Sequence, residues 1–217
     1  MMSPRPNITA ARSVTRLYLV TPVLADATAA AALLGPALAA ADVAAVLLRL
    51  PAADERTLIN RIREIASLVQ ERGVALLLDG RPDLVARSGA DGAHLAGDTA
   101  VREAIGALKP DRIVGAGGLA TRHDAMTAAE AGADYVMFGE PDAAGKRPSL
   151  TAITERVAWW AEVFEVPCVG YAASLAEVSD LAKAEFVALG PAILSDPRGP
   201  AVAVAEAADR LNVESLA

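Results

Sequence analysis

Arg72-Gly73-Val74-Ala75-Leu76-Leu77-Leu78 joins a helix-stop glycine directly to five uninterrupted apolar residues. A strand with one wet face would alternate apolar and polar side chains. A continuous run demands cover on both faces, which is the condition of a parallel strand packed between helices and a second wall. Outward from this run, short β-rich stretches alternate with longer Ala, Leu, Glu and Arg segments of helical spacing, from Arg16 to the C-terminus. The pattern predicts strands at Leu17–Val20, Val43–Arg49, Val74–Leu78, Gly92–His94, Arg112–Gly115, Tyr135–Phe138, Cys168–Tyr171 and Phe186–Leu189. It predicts helices at Asp26–Ala40, Asp54–Arg72, Pro82–Ser88, Asp98–Leu108, Thr121–Ala131, Ser149–Phe164, Ser174–Ala182 and Pro200–Leu211. Ser88-Gly89-Ala90-Asp91-Gly92 and Ala131-Gly132-Ala133-Asp134-Tyr135 repeat one helix-stop, strand-start device.

Eight βα units in about 200 residues predict an α/β fold, a (β/α)₈ TIM barrel, as a single domain over residues 16–217. Residues 1–15 are expected to form a flexible N-terminal tail. An open doubly wound sheet would carry a glycine-rich turn after its first strand, but that turn reads Thr21-Pro22-Val23-Leu24-Ala25-Asp26.

The chain of 217 residues is 53% apolar with a formal charge of −7, values that exclude a disordered chain and argue against nucleic acid or anionic membranes as partners. Cys168 is the single cysteine, so an internal disulfide and a cysteine-built metal site are both excluded. The apolar stretch Ala27–Leu48 is interrupted by Gly35-Pro36 and by Asp42, so no membrane span is expected. No continuous apolar segment precedes Arg16, and a cytoplasmic location is the expectation that follows.

In a barrel, chemistry gathers where the strands end. Those positions hold Thr21, Arg49, Asp79-Gly80-Arg81, His94, Asp98, Gly117-Gly118, Gly139-Glu140, Lys146, Tyr171 to Ser174 and Gly190 to Ser195. Each also has a plainer reading. Arg49 reads as an ion-pair partner at the mouth, His94 as a strand residue bonded locally, and His123 as a surface residue in the first turn of its helix. Asp79 and Asp98 read as helix caps, Gly117-Gly118 as a turn, and Cys168 as inert packing. Of Trp159-Trp160, one ring is expected to cover the barrel and the other to meet solvent.

Three segments, Leu17-Tyr18-Leu19-Val20-Thr21, Gly89-Ala90-Asp91-Gly92-Ala93-His94-Leu95 and Ala131 to Gly139, resemble thiamine phosphate synthase and its relative, the TenI thiazole tautomerase, in order and spacing. The resemblance implies coupling of hydroxymethylpyrimidine diphosphate to thiazole phosphate through a pyrimidine carbocation, with Mg²⁺ and cationic side chains neutralising the leaving group. Carried onto this chain, it implies Arg49 and Lys146 as catalytic cations and Asp79 and Asp98 as Mg²⁺ ligands. It implies Thr21, Arg81, His94, Gly117, Gly118, Ala172 and Ala173 as substrate- and phosphate-binding positions. A small phosphorylated substrate and a homodimer are the implied partners.

The chain departs from the family pattern at several of these positions. Leu47 stands where the pattern has Gln, Pro51 where it has Lys, and Gly80 where it has a metal carboxylate. Ala172-Ala173 replaces a Gly-Gly phosphate nest, Pro191 removes a backbone donor, and Glu140 and Asp142 put negative charge into the loop before Lys146. Two further readings therefore stand beside the synthase: a TenI-like thiazole phosphate isomerase with His94 or Glu140 as proton carrier, and a non-catalytic ligand- or partner-binding barrel.

Overall fold

A computed structural model describes residues 14–215. Eight parallel strands close on themselves in chain order: β1 (Arg16–Val23), β2 (Val43–Arg49), β3 (Ala75–Asp79), β4 (Gly92–Ala96), β5 (Ile113–Gly117), β6 (Tyr135–Phe138), β7 (Cys168–Ala172) and β8 (Phe186–Leu189). β8 pairs back onto β1 with Phe186 opposite Arg16 and Ala188 opposite Tyr18. The helices are α1 (Ala27–Ala40), α2 (Glu55–Gln70), α3 (Pro82–Ser88), α4 (Asp98–Leu108), α5 (Arg122–Glu130), α6 (Leu150–Val163), α7 (Pro191–Leu194) and α8 (Pro200–Ser215). The (β/α)₈ barrel predicted from the sequence is the fold.

Helix starts follow capping chemistry. Asp26 accepts from the Ala29 amide at 2.8 Å and Asp54 from Thr57 at 2.9 Å, and Thr121 and Asp124 form a reciprocal capping box. Among the described residues no helix is long and apolar enough to cross a membrane. The expected tail falls outside the described residues except for Val14 and Thr15, and Thr15 is fixed: its hydroxyl donates to the carbonyls of Ala182 and Ala184 at 3.0 and 2.9 Å.

Three departures from the sequence reading concern the rim. First, β3, β4 and β5 run further than their apolar residues do, so Asp79 and Gly117 belong to strands, paired with His94 and Ala96. Backbone ladders continue where the hydrophobic signal has already stopped. Second, the seventh helix is two 3₁₀ turns, Leu175–Glu177 and Ser179–Leu181. Residues 173–185 must return from the top of β7 to the bottom of β8, and a 3₁₀ turn advances about 2.0 Å per residue where an α-helix advances 1.5 Å. Third, Pro191 opens the short helix α7, where its missing N–H would have no partner in any case.

The core has two layers. Outward strand residues such as Leu17, Leu19, Val46 and Leu48 pack with the helices, where Trp160 is fully buried and Trp159 half-buried under Arg122. Inward residues of the alternate register, among them Tyr18, Val20, Leu47, Leu77, Tyr135, Met137, Val169 and Tyr171, fill the barrel. This interior holds its tyrosines because the facing positions are glycines. A Cβ on Gly115 would clash with the hydroxyl end of the Tyr135 ring, one on Gly117 would meet Glu140 and His94, and one on Gly190 would meet the Tyr171 hydroxyl. Gly115→Ala is accordingly expected to destabilise the barrel by about 1–3 kcal/mol, the cost of overpacking a filled core, measured as a lower urea midpoint with unchanged m-value.

Candidate active site

The C-terminal ends of β2 and β3 bring Arg49 and Asp79 together, with Nε donating to Oδ2 at 2.8 Å. Both are partly exposed, at 26% and 37% of their side chains. The terminal guanidinium nitrogens of Arg49 have no partner among the described residues. Thr21 is fully buried, and its hydroxyl accepts from the Arg49 amide at 3.0 Å. Thr21 thus fixes the end of β2 and holds Arg49 at the mouth.

Below this pair runs a buried polar chain. The His94 Nε2 hydrogen donates to both oxygens of Glu140 at 3.1 and 3.2 Å, and Nδ1 lies 2.8 Å from the Tyr135 hydroxyl, which is 2.9 Å from that of Tyr18. Glu140 also accepts from the Gly118 amide at 3.1 Å. His94 is 3% exposed and Glu140 10%. Burial opposes charge on the imidazole, yet the charge and hydrogen bonds of Glu140, helped by Asp79, hold His94 above its ordinary pKa. Burial likewise opposes the carboxylate, and His94, the Gly118 amide and Arg49 hold Glu140 below the usual range. Both shifts favour an imidazolium–carboxylate pair, with the neutral phenols of Tyr135 and Tyr18 behind it, both raised mainly by burial.

A second internal carboxylate closes the β7 side of the rim. Arg147 donates from Nη1 to both oxygens of Glu177 at 2.9 Å, from Nε to the Gly139 carbonyl at 3.0 Å and from Nη2 to the Tyr171 carbonyl at 2.9 Å. Glu177 also takes the Ala173 amide at 2.9 Å. Ala172 is buried, and its carbonyl accepts from Gly190. The Gly117 carbonyl accepts from the Gly97 amide at 2.8 Å.

Lys146 stands exposed on a cleft of about 370 Å³ that Gly118, Glu140 and Arg147 also line. Its ammonium has no partner among the described residues. Arg81 is held at 3.3 Å by Asp83 in the first turn of α3. Asp98 is the first residue of α4 rather than its N-cap, which is Gly97, and it pairs with Arg102 one turn on at 2.8 Å. At a first helical position the carboxylate answers the helix dipole and an i+4 cation, while positive φ at Gly97 supplies the turn.

The structure therefore gathers Arg49, Asp79, His94, Glu140, Gly117 and Gly118 at one mouth, with Lys146 on its cleft. Arg81 and Asp98 are held by neighbours on their own helices. The expected Mg²⁺ ligands Asp79 and Asp98 are each paired with an arginine in this arrangement, Asp79 with Arg49 and Asp98 with Arg102. Sequence reading missed the His94–Glu140 and Arg147–Glu177 pairs. Strand alternation could have turned Tyr18, His94 and Tyr135 inward, but no local signal links Glu140 to a histidine 46 residues earlier.

The pair sets a pH dependence. A raised His94 stabilises the fold below the unfolded value of about 6.5 and ceases to as pH climbs through its folded value; a lowered Glu140 contributes above about 4.3 and ceases to as pH falls. Stabilisation is complete between those limits. Glu140→Gln is expected to cost about 3–5 kcal/mol at pH 6, as for a broken buried pair, and clearly less at pH 9, as read by urea unfolding at the two values.

Comparison with known proteins covers the whole barrel. The sequence profile of the family described as thiamine monophosphate synthase matches residues 17–193. A thiamine-phosphate synthase of Rhodospirillum centenum is 45% identical over 196 residues, covering 88% of this chain and 95% of that protein. One from Hyphomonas neptunium is 36% identical over 211 residues, with 93% and 92% covered. The thiamine phosphate pyrophosphorylase of Pyrococcus furiosus superposes with a TM-score of 0.77 at 20% identity, over 95% of this chain and 99% of that one, a likeness of fold. With profile and relatives spanning the strands that build the mouth, the chain belongs to the thiamine monophosphate synthase/TenI family.

Proposed function

We propose that the chain is a thiamine phosphate synthase-type transferase that couples hydroxymethylpyrimidine diphosphate to thiazole phosphate. The observation that carries this reading is the 45% identity to a thiamine-phosphate synthase across nearly all of both chains. The geometry of the mouth agrees with it, since Arg49 at the end of β2 and Lys146 in the loop after β6 are cations with unused donors at the same end of the barrel. The carbon–oxygen bond of the pyrimidine donor breaks, and diphosphate leaves with the electron pair. The thiazole nitrogen then attacks the methylene cation. Arg49 and Lys146 meet the negative charge that develops on the departing diphosphate, an electrostatic task in which placed cations are worth most.

Thiamine phosphate synthases use Mg²⁺, and in this reading it enters as a counter-ion of the diphosphate, with no step assigned to a protein-built centre. Thr21 positions Arg49, while His94 holds Glu140 away from the substrate phosphates and onto the Gly118 amide. Gly117 leaves the space both side chains need. Arg81, Ala172 and Ala173 receive no contact with substrate in this reading. The same reading makes the chain a cytoplasmic homodimer acting on small phosphorylated substrates, without nucleic-acid or membrane partners.

Purified protein given both substrates and Mg²⁺ is expected to form thiamine phosphate; absence of product under conditions that support an authentic synthase overturns the reading. Arg49→Gln is expected to lower kcat by roughly a hundredfold, the scale of losing one preorganised charge-stabilising donor. Asp98→Asn is expected to leave the Mg²⁺ concentration dependence unchanged, as measured by steady-state titration.

A further inference from the structure

Tyr171 is 3% exposed, yet its hydroxyl bonds to nothing among the described residues. Buried phenols ordinarily find a partner, so a vacant one at a functional mouth points to a ligand. No fully enclosed side-chain oxygen in the barrel lacks a partner, which means that this oxygen opens onto accessible space. Its position is set from both sides. The ring faces inward near the end of β7, the hydroxyl lies over Gly190 just beyond β8, and the Arg147 guanidinium stands 5.5 Å from the ring centroid. Arg49, Arg147, Glu140 and Glu177 all act electrostatically on the phenol, so it shares the mouth already described.

The rest of the barrel interior offers a ligand little else that is polar. Tyr18 and Tyr135 bond to one another, both nitrogens of His94 are engaged, and Val20, Leu47 and Met137 form apolar wall. A neutral hydroxyl without a protein partner, set at the end of this apolar packing, suits a flat heterocycle anchored at one ring atom. Burial raises the phenol pKa, against Arg49 and Arg147 and with Glu140 and Glu177, so the group is a neutral donor. A phosphate oxygen finds charged partners at this mouth in Arg49 and Lys146, which leaves the neutral phenol to an uncharged ring acceptor. Of the two heterocycles in the proposed reaction, the thiazole must keep its nitrogen lone pair free to attack, whereas the pyrimidine has ring nitrogens that take no part in bond making.

We propose that Tyr171 is a specificity-determining residue whose hydroxyl donates a hydrogen bond to a ring nitrogen of the pyrimidine substrate, with Gly190 keeping the space in which that hydroxyl sits. The inference rests on the transferase reading, and equilibrium binding separates the two. Calorimetric titration of the full chain with hydroxymethylpyrimidine diphosphate, inorganic pyrophosphate and thiazole phosphate is the test. Tyr171→Phe keeps the ring and is expected to weaken pyrimidine diphosphate binding roughly tenfold, while pyrophosphate and thiazole phosphate bind as before. Gly190→Ala, which displaces the hydroxyl, is expected to give the same selective loss, and the double variant no more than either alone. Equal pyrimidine affinity in wild type and Tyr171→Phe overturns the proposal. So do equal losses for all three ligands, or no pyrimidine binding by the wild type. Selective loss without any turnover by the wild type keeps the pyrimidine contact and removes the transferase.

Discussion

A closed ring of parallel strands allots every second residue to its interior, and that interior cannot admit a large side chain on one strand unless the facing strand yields. Here the yielding residues are two glycines on β5 and one just beyond β8: Gly115 beside Tyr135, Gly117 beside His94 and Glu140, and Gly190 beside Tyr171. Tyr135, His94, Glu140 and Tyr171 are thereby each tied to a position with no side chain on a neighbouring strand or just beyond it. The site is a packing solution before it is an electrostatic one.

The electrostatics follow from that packing. His94 and Glu140 are largely buried, where an isolated charge is costly and a hydrogen-bonded pair is tolerated. Glu140 therefore points into the barrel, and the Gly118 amide goes with it. Glu177 does the same to Arg147 and the Ala173 amide. Two places at which backbone and cation together could hold an anion are occupied by the chain's own carboxylates. The cationic capacity left at the mouth lies with the outer nitrogens of Arg49 at the end of β2 and with Lys146 in the loop after β6, on opposite sides of the opening.

The barrel was legible because its signals are local and redundant. Apolar runs such as Val74–Leu78, glycine stops and capping residues each mark a unit boundary without reference to the rest of the chain. Where packing across the barrel decides the outcome, local signals fail. Ser174–Ala182 has helical composition but must span a strand's length, and so forms 3₁₀ turns. Glu140 reads along the sequence as a loop charge that repels phosphate, and only the closed ring brings it to His94. Asp98 has the residue type of a cap, but Gly97 holds that place. The strand ends mark where rim residues lie along the sequence; their pairing depends on contacts 30 to 46 residues apart that no spacing rule encodes.

The most direct test of this account is the protonation state of His94 in the folded protein, followed by ¹⁵N NMR of the ring nitrogens as a function of pH. A buried imidazolium held by Glu140 predicts a titration midpoint above the ordinary histidine value of about 6.5, with both ring nitrogens protonated below it. A midpoint below that value, with a neutral ring at pH 6, would mean that burial outweighs the carboxylate and would contradict the charged pair around which the mouth is built.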